Sequence, residues 1–161
     1  MRKSVLCMMA IMCLGITACG KTTEAAPTTT TETVAENPII NMDITASKLT
    51  YEKFEILEDD GEPILRVYFT YTNKVDEDSS AMNDYYINAY QNKLQCDTAM
   101  LSDDNEASDN MTRGVLKDGS LEVAEEFKLD DTTSPVTLSV EPCFDDDFDE
   151  QEMIIDITQA Q

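Results

Sequence analysis

Between residues 62 and 73 the chain alternates, with Leu65, Val67, Phe69 and Tyr71 on one side and Ile64, Arg66, Tyr68 and Thr70 on the other. A two-residue period of this kind predicts a strand with one face on a core. Asp59-Asp60-Gly61-Glu62 before it is a turn signal, in which Gly61 takes a positive φ without steric cost. Upstream, Met42, Ile44 and Ala46 alternate, then Leu49 and Tyr51, then Phe54 and Ile56. The changes of phase predict a β-bulge or a break between two short strands.

Further along, Asp84–Met100 reads as a hairpin around Gln91-Asn92-Lys93, and residues 77–86 leave room for one helical turn. Leu121, Val123, Glu125 and Phe127 share a face. The charge of Glu125 on that face predicts either an edge strand or a change of register before Phe127. Val136, Leu138 and Val140 form another alternating set, and Met153, Ile155 and Ile157 close the pattern. Six to eight short strands separated by turns predict an all-β domain, a β-sandwich over residues 38–158. Asn73, at the end of its strand, is expected to cap it or form an Asx-turn.

The pattern changes character at the N-terminus. Arg2 and Lys3 precede the apolar run Ser4–Ala18, which has the length of a secretory h-region and falls short of the ~20 residues a membrane-spanning helix needs. Residues 1–18 are therefore expected to be a signal peptide. Ile16-Thr17-Ala18-Cys19 resembles a bacterial lipobox, and the resemblance implies a diacylglyceryl group on the Cys19 thiol, cleavage just before it, and further acylation such as palmitate. Two acyl chains suffice for the stable anchoring that one cannot give. Residues 22–33 hold seven threonines with no apolar periodicity. Such a segment cannot offset its ordering entropy, so residues 19–37 are expected to be a flexible tether spanning roughly 25 Å. Together these place the chain at the cell membrane, facing outward.

Composition narrows the function classes. The chain carries 11 basic and 33 acidic residues, a net charge of −22, and −24 once Arg2 and Lys3 leave with the signal. Without a basic footprint, nucleic-acid binding is excluded as an expectation. Basic partners or cations remain as attractions. Histidine is absent, which removes Ser-His-Asp and Cys-His chemistry and the usual zinc-ligand spacings. The five glycines do not cluster into a phosphate loop. No enzyme activity is expected. Cys96 and Cys143 remain in the exported portion, either as a disulfide or as two separate thiols. Asp145, Asp146, Asp147, Asp149 and Glu150 form the densest acidic cluster, a candidate for weak Ca2+ binding that lacks EF-hand spacing. No other cofactor is expected.

Residues 65–79 (Leu65 to the Thr72-Asn73 pair and beyond), the tyrosine-rich strand ending at Gln95, and residues 117–140 with Gly119-Ser120 and Pro135-Val136 resemble a family of immunoglobulin-like domains on lipoproteins of Gram-positive bacteria. The resemblance covers roughly residues 47–158. It implies an immunoglobulin-like β-sandwich of about seven antiparallel strands and a surface location, and it carries no catalytic residues. Two functional expectations follow. One is a non-enzymatic lipoprotein displaying an interaction domain toward an envelope, wall or host protein. The other is a lipoprotein that binds Ca2+ or a small ligand through its acidic loops.

Overall fold

The computed structural model describes residues 37–101 and 103–159 of the chain. The expected signal peptide (1–18), the expected lipidation residue Cys19 and the expected tether as far as residue 36 lie outside the described residues. In chain order the elements are β1 (Asn41–Asp43), β2 (Ser47–Asp59), β3 (Glu62–Asn73), α1 (Ala81–Asp84), β4 (Tyr85–Gln91) and β5 (Leu94–Gln95). They continue with α2 (Glu106–Asp109), β6 (Ser120–Lys128), β7 (Val136–Pro142) and β8 (Gln151–Ile155). The strands form two antiparallel sheets, ordered β1-β2-β3-β6 and β5-β4-β7-β8. This is an all-β sandwich, with eight strands where about seven were expected.

The core is the one the alternation specifies. Leu65, Val67, Phe69 and Tyr71 of β3 are fully buried, as are Val136, Leu138 and Val140 of β7 in the opposite sheet. Glu52 is the extra residue of a bulge between Tyr51 and Lys53 of β2. The bulge moves the inward phase from Leu49 and Tyr51 to Phe54 and Ile56, so β2 stays one strand of 13 residues. Both tight hairpins use two residues with positive φ, Asp60-Gly61 between β2 and β3 and Asn92-Lys93 between β4 and β5. That geometry matches the twist of the flanking strands. The single helical turn expected near residues 77–86 is α1. Its Asp84 accepts hydrogen bonds from Tyr71 Oη (2.7 Å) and Ser79 Oγ (2.6 Å).

Side chains complete the pairing where the backbone leaves gaps. Asn73 forms the expected Asx-turn, accepting from Val75 N–H at 3.0 Å, while its Nδ2 donates to the carbonyls of Glu77 and Val115 at 2.7 Å. Buried Gln91 does the same for the loop before β7, accepting from the N–H groups of Asp130 and Asp131 and donating to the carbonyls of Asp131 and Ser134. At the free edge of β8, Asn37 donates to the Ile154 carbonyl (2.6 Å) and accepts from the Ile154 N–H (2.7 Å), imitating one rung of a strand.

Residues 97–113 lie across the outer face of the first sheet. Their start bridges to β6, with Ala99 N–H donating to the Glu126 carbonyl and Lys128 N–H to the Asp97 carbonyl, both 2.8 Å. α2 follows, capped by Asn105, whose Oδ1 accepts from Ser108 N–H at 3.1 Å. Ala107 packs on Tyr68 and Ala124. Under this strap Arg66 and Glu126 are buried although both sit on the face opposite the main core.

Candidate functional site

β6 is an edge strand of its sheet, and its register with β3 is regular from Ser120 to Lys128. Of the two expectations for Glu125, the edge strand is therefore the correct one. The side chain keeps its inward phase between Val123 and Phe127. It is half-buried and lines a cavity of about 350 Å³ where β6 meets α1, the start of the strap and the end of α2.

The cavity wall is mostly apolar. Met82 comes from α1, Met100 and Leu101 from the strap, and Met111 from the 3-10 turn Asn110–Thr112 that follows α2. Met111 belongs to the main core, whereas Met82 is 53% exposed and Met100 93% exposed at the rim. Five methionines fall within residues 37–159, and three of them line this one cavity. Thioether side chains are unbranched and polarisable, and they recur on surfaces that adapt to a guest.

Two carboxylates of β6 meet the cavity in different states. Glu126 is fully engaged, with Oε1 accepting from Arg66 Nε (2.7 Å) and Ser108 Oγ (2.7 Å) and Oε2 from Leu101 N–H (3.1 Å). Arg66 in turn donates from one terminal nitrogen to both oxygens of Asp103, at 2.6 and 2.8 Å. Glu125 takes no hydrogen bond from any described residue. Burial, and then the charge of Glu126, push its pKa up to about 7.

The backbone of β6 also faces the strap. Lys128 N–H and Glu126 C=O point toward the strap, and the Glu122 carbonyl on the same side accepts from Asn110 Nδ2 at 3.0 Å. Residues two apart on a strand direct their peptide groups the same way. Ala124 therefore points its N–H and C=O toward the same edge, but the residue is only 2% exposed, covered by Ala107 and Tyr68. Ala124 itself lines the cavity.

A larger hollow of about 490 Å³ lies beside the β2–β3 turn, where Lys128 Nζ is 2.8 Å from Glu62. The acidic cluster is dispersed. Asp145 accepts from Thr45 N–H at 3.4 Å, Glu150 is bonded to Ser139 Oγ, and Asp146, Asp147 and Asp149 are exposed. Among the described residues no group of three or more acidic or cysteine side chains is arranged to hold a metal.

Of the two alternatives left open for Cys96 and Cys143, the structure has the separate thiols. Cys96 N–H donates to Ala89 on the β5 side of β4, and Cys143 N–H to Asp84 beside the β7 side. Tyr85 to Ala89 alone is roughly 13 Å of extended strand, well beyond the ~7 Å that a disulfide spans between Cα atoms.

The alternation of β6 flagged Glu125 as anomalous, but it could not show the cavity. The three methionines are 18 and 11 residues apart along the chain, in segments without strong periodicity, and only the folded strap unites them.

Residues 17–142 match the profile of a family described as a domain of unknown function, DUF5067. No curated protein matches the chain. Among solved structures, one described as a "putative lipoprotein" from Staphylococcus aureus is similar in fold, with a TM-score of 0.54 and 14% identity over 76% of this chain and 95% of that one.

Proposed function

We propose that this chain, which belongs to the DUF5067 family, is a lipid-anchored surface lipoprotein whose immunoglobulin-like sandwich is a non-enzymatic binding module. Cys19 carries the lipid, and the threonine-rich segment holds the domain away from the headgroups. The Ile16–Cys19 motif and the likeness to a staphylococcal protein described as a lipoprotein support the anchor. The half-buried, unpartnered Glu125 carboxyl in a methionine-lined cavity carries the binding role. A carboxyl left without a partner in such surroundings disfavours its charged form. A guest that supplies the missing donor and fills the apolar wall turns that cost into affinity.

The anchor is tested by expressing the full chain and its Cys19→Ala variant in a Gram-positive host grown with labelled palmitate. The parent chain is expected in the membrane fraction and labelled. The variant is expected unlabelled and away from that fraction. Equal membrane partition of the two would reject the lipid anchor.

A further inference from the structure

Size, wall and charge narrow the guest of the β6 cavity. At about 350 Å³ it lies near the lower end of the ~300–1,000 Å³ that small-molecule pockets occupy, so it suits a compact molecule. The back of the cavity gives a partner strand no entry, because Ala124 is 2% exposed and covered by Ala107 and Tyr68. Met82, Met100 and Met111 reach it from three separate segments, and thioether chains adapt to apolar bodies of varied shape.

Charge decides the head group. The titratable groups lining the cavity are Glu125 and Glu126 of β6 and Asp109 of α2. The lining residues of α1, of segment 98–101 and of the 3-10 turn carry none. Glu126 already accepts from Arg66, Ser108 and Leu101, and Arg66 is itself held by Asp103. Glu125 is the acceptor left without a donor. An ionised carboxylate only accepts, so the guest must donate, and a cationic donor makes the stronger bond. A Ca2+ ion takes roughly 6–8 oxygen ligands, which one free carboxylate among thioethers does not supply. The cation is therefore organic.

Resting on the binding role proposed above, we propose that the cavity binds a small apolar amine, with its ammonium group at the Glu125 carboxylate and its hydrocarbon body among Met82, Met100 and Met111. Glu125 is only half-buried, so the ammonium keeps part of its hydration on docking, which limits the desolvation cost of the ion pair. The wider field acts in the same sense, since 33 acidic residues against 11 basic concentrate cations near the surface.

The test uses the mature chain, residues 19–161 carrying Cys19→Ser, with 13C-labelled methionine methyl groups. Five methionines remain in it, so Met82, Met100 and Met111 report on the cavity while the core residues Met42 and Met153 serve as controls. The probes are octylamine, octan-1-ol with the same chain and no charge, and ethylamine with the charge and little chain. Octylamine is expected to shift the three cavity methyls saturably and to leave Met42 and Met153 in place. Octanol and ethylamine are each expected to bind at least roughly tenfold more weakly, the scale of one charge-assisted hydrogen bond or of a few buried methylenes. Octylamine is expected to bind more tightly at pH 8 than at pH 6, as Glu125 ionises around 7 while the amine keeps its proton. Glu125→Gln is expected to remove both the pH dependence and the preference for octylamine over octanol.

Equal binding of octanol and octylamine, or octylamine binding that ignores Glu125→Gln, would overturn the amine and leave the cavity as a site for apolar guests. Shifts spread evenly over all five methyls would mark diffuse association and overturn the proposal. Cavity methyls that no probe moves would overturn the amine and remove the support for the binding role. The lipid anchor, tested separately through Cys19, would be unaffected.

Discussion

Arg66 donates from Nε to Glu126 Oε1 at 2.7 Å, and both side chains are buried on the face of β3 and β6 turned away from the main core. The strap of residues 97–113 buries them, and Glu126 repays it by accepting from Leu101 N–H and Ser108 Oγ. Removing Arg66 alone leaves a buried carboxylate without its cation, which typically costs about 3–5 kcal/mol. Arg66→Met is therefore expected to lower urea-unfolding stability on that scale. Adding Glu126→Leu is expected to recover part of the loss, since an apolar pair is less costly than an orphaned charge. A double variant no more stable than Arg66→Met would show that the pair is not energetically coupled.

Glu125 makes stability depend on pH in the direction opposite to an ordinary salt-bridged carboxylate. Its pKa in the folded chain is raised to about 7 from the usual 4.5. The unfolded chain therefore loses this proton first as pH rises. The contribution is fully present below about pH 4.5 and disappears as pH climbs through 7. Glu125→Gln is expected to melt above the parent at pH 8, by an amount on the order of 2 kcal/mol, and close to it near pH 5. Parallel melting curves at the two pH values would show that the carboxyl ionises freely in the folded state.

Gln91 is 1% exposed and holds four backbone groups of the loop before β7 through a single side chain. Gln91→Leu keeps the volume and removes every one of these bonds. Buried peptide groups left without partners cost about 1–3 kcal/mol each, so a loss on the order of 3 kcal/mol is expected after the loop relaxes toward water. Amide hydrogen exchange is expected to speed up at Asp130 and Asp131 and to change little in β3. Unchanged exchange at those two amides would remove Gln91 as the organiser of the loop.

Cys96 and Cys143 are expected to behave as two slow thiols. Burial raises both pKa values, and neighbouring carboxylates, led by Asp130 for Cys96 and Asp84 for Cys143, raise them further. The melting temperature of the Cys19→Ser mature chain is expected to be the same with and without reductant. Two thiols are expected to titrate in denaturant and to react sluggishly in the native state. A midpoint that falls on reduction would require the strands around β4 to be arranged differently.

The main sheets were legible because each strand carries its own record of which side is wet. Leu65, Val67, Phe69 and Tyr71 mark one face of β3, and the broken phase of Leu49, Tyr51, Phe54 and Ile56 marks the bulge at Glu52. Glu125 was legible as an anomaly for the same reason. Arg66 was not, because alternation describes two faces of a strand and assumes that the polar one meets water. The burial of Arg66 is decided some 37 residues away, by Asp103 and the strap, where four-residue α2 and a 3-10 turn are too short to leave a period. The cavity was hidden in the same way. Its methionines read as unrelated apolar residues until the strap brings them to one place.

The Asn37 amide on Ile154 also has a mechanical meaning. Asn37 is where the expected tether meets the sandwich, and its two hydrogen bonds fasten the entering chain to β8, in the sheet opposite to the one that receives β1. Ile40 and Met42 then enter the core, and β1 pairs with β2. A pull transmitted through Asn37 is thus borne first by β8 in one sheet and then by the β1–β2 ladder in the other. On the proposed lipid anchor the domain is loaded through its root, and that root is fastened to both sheets of the sandwich.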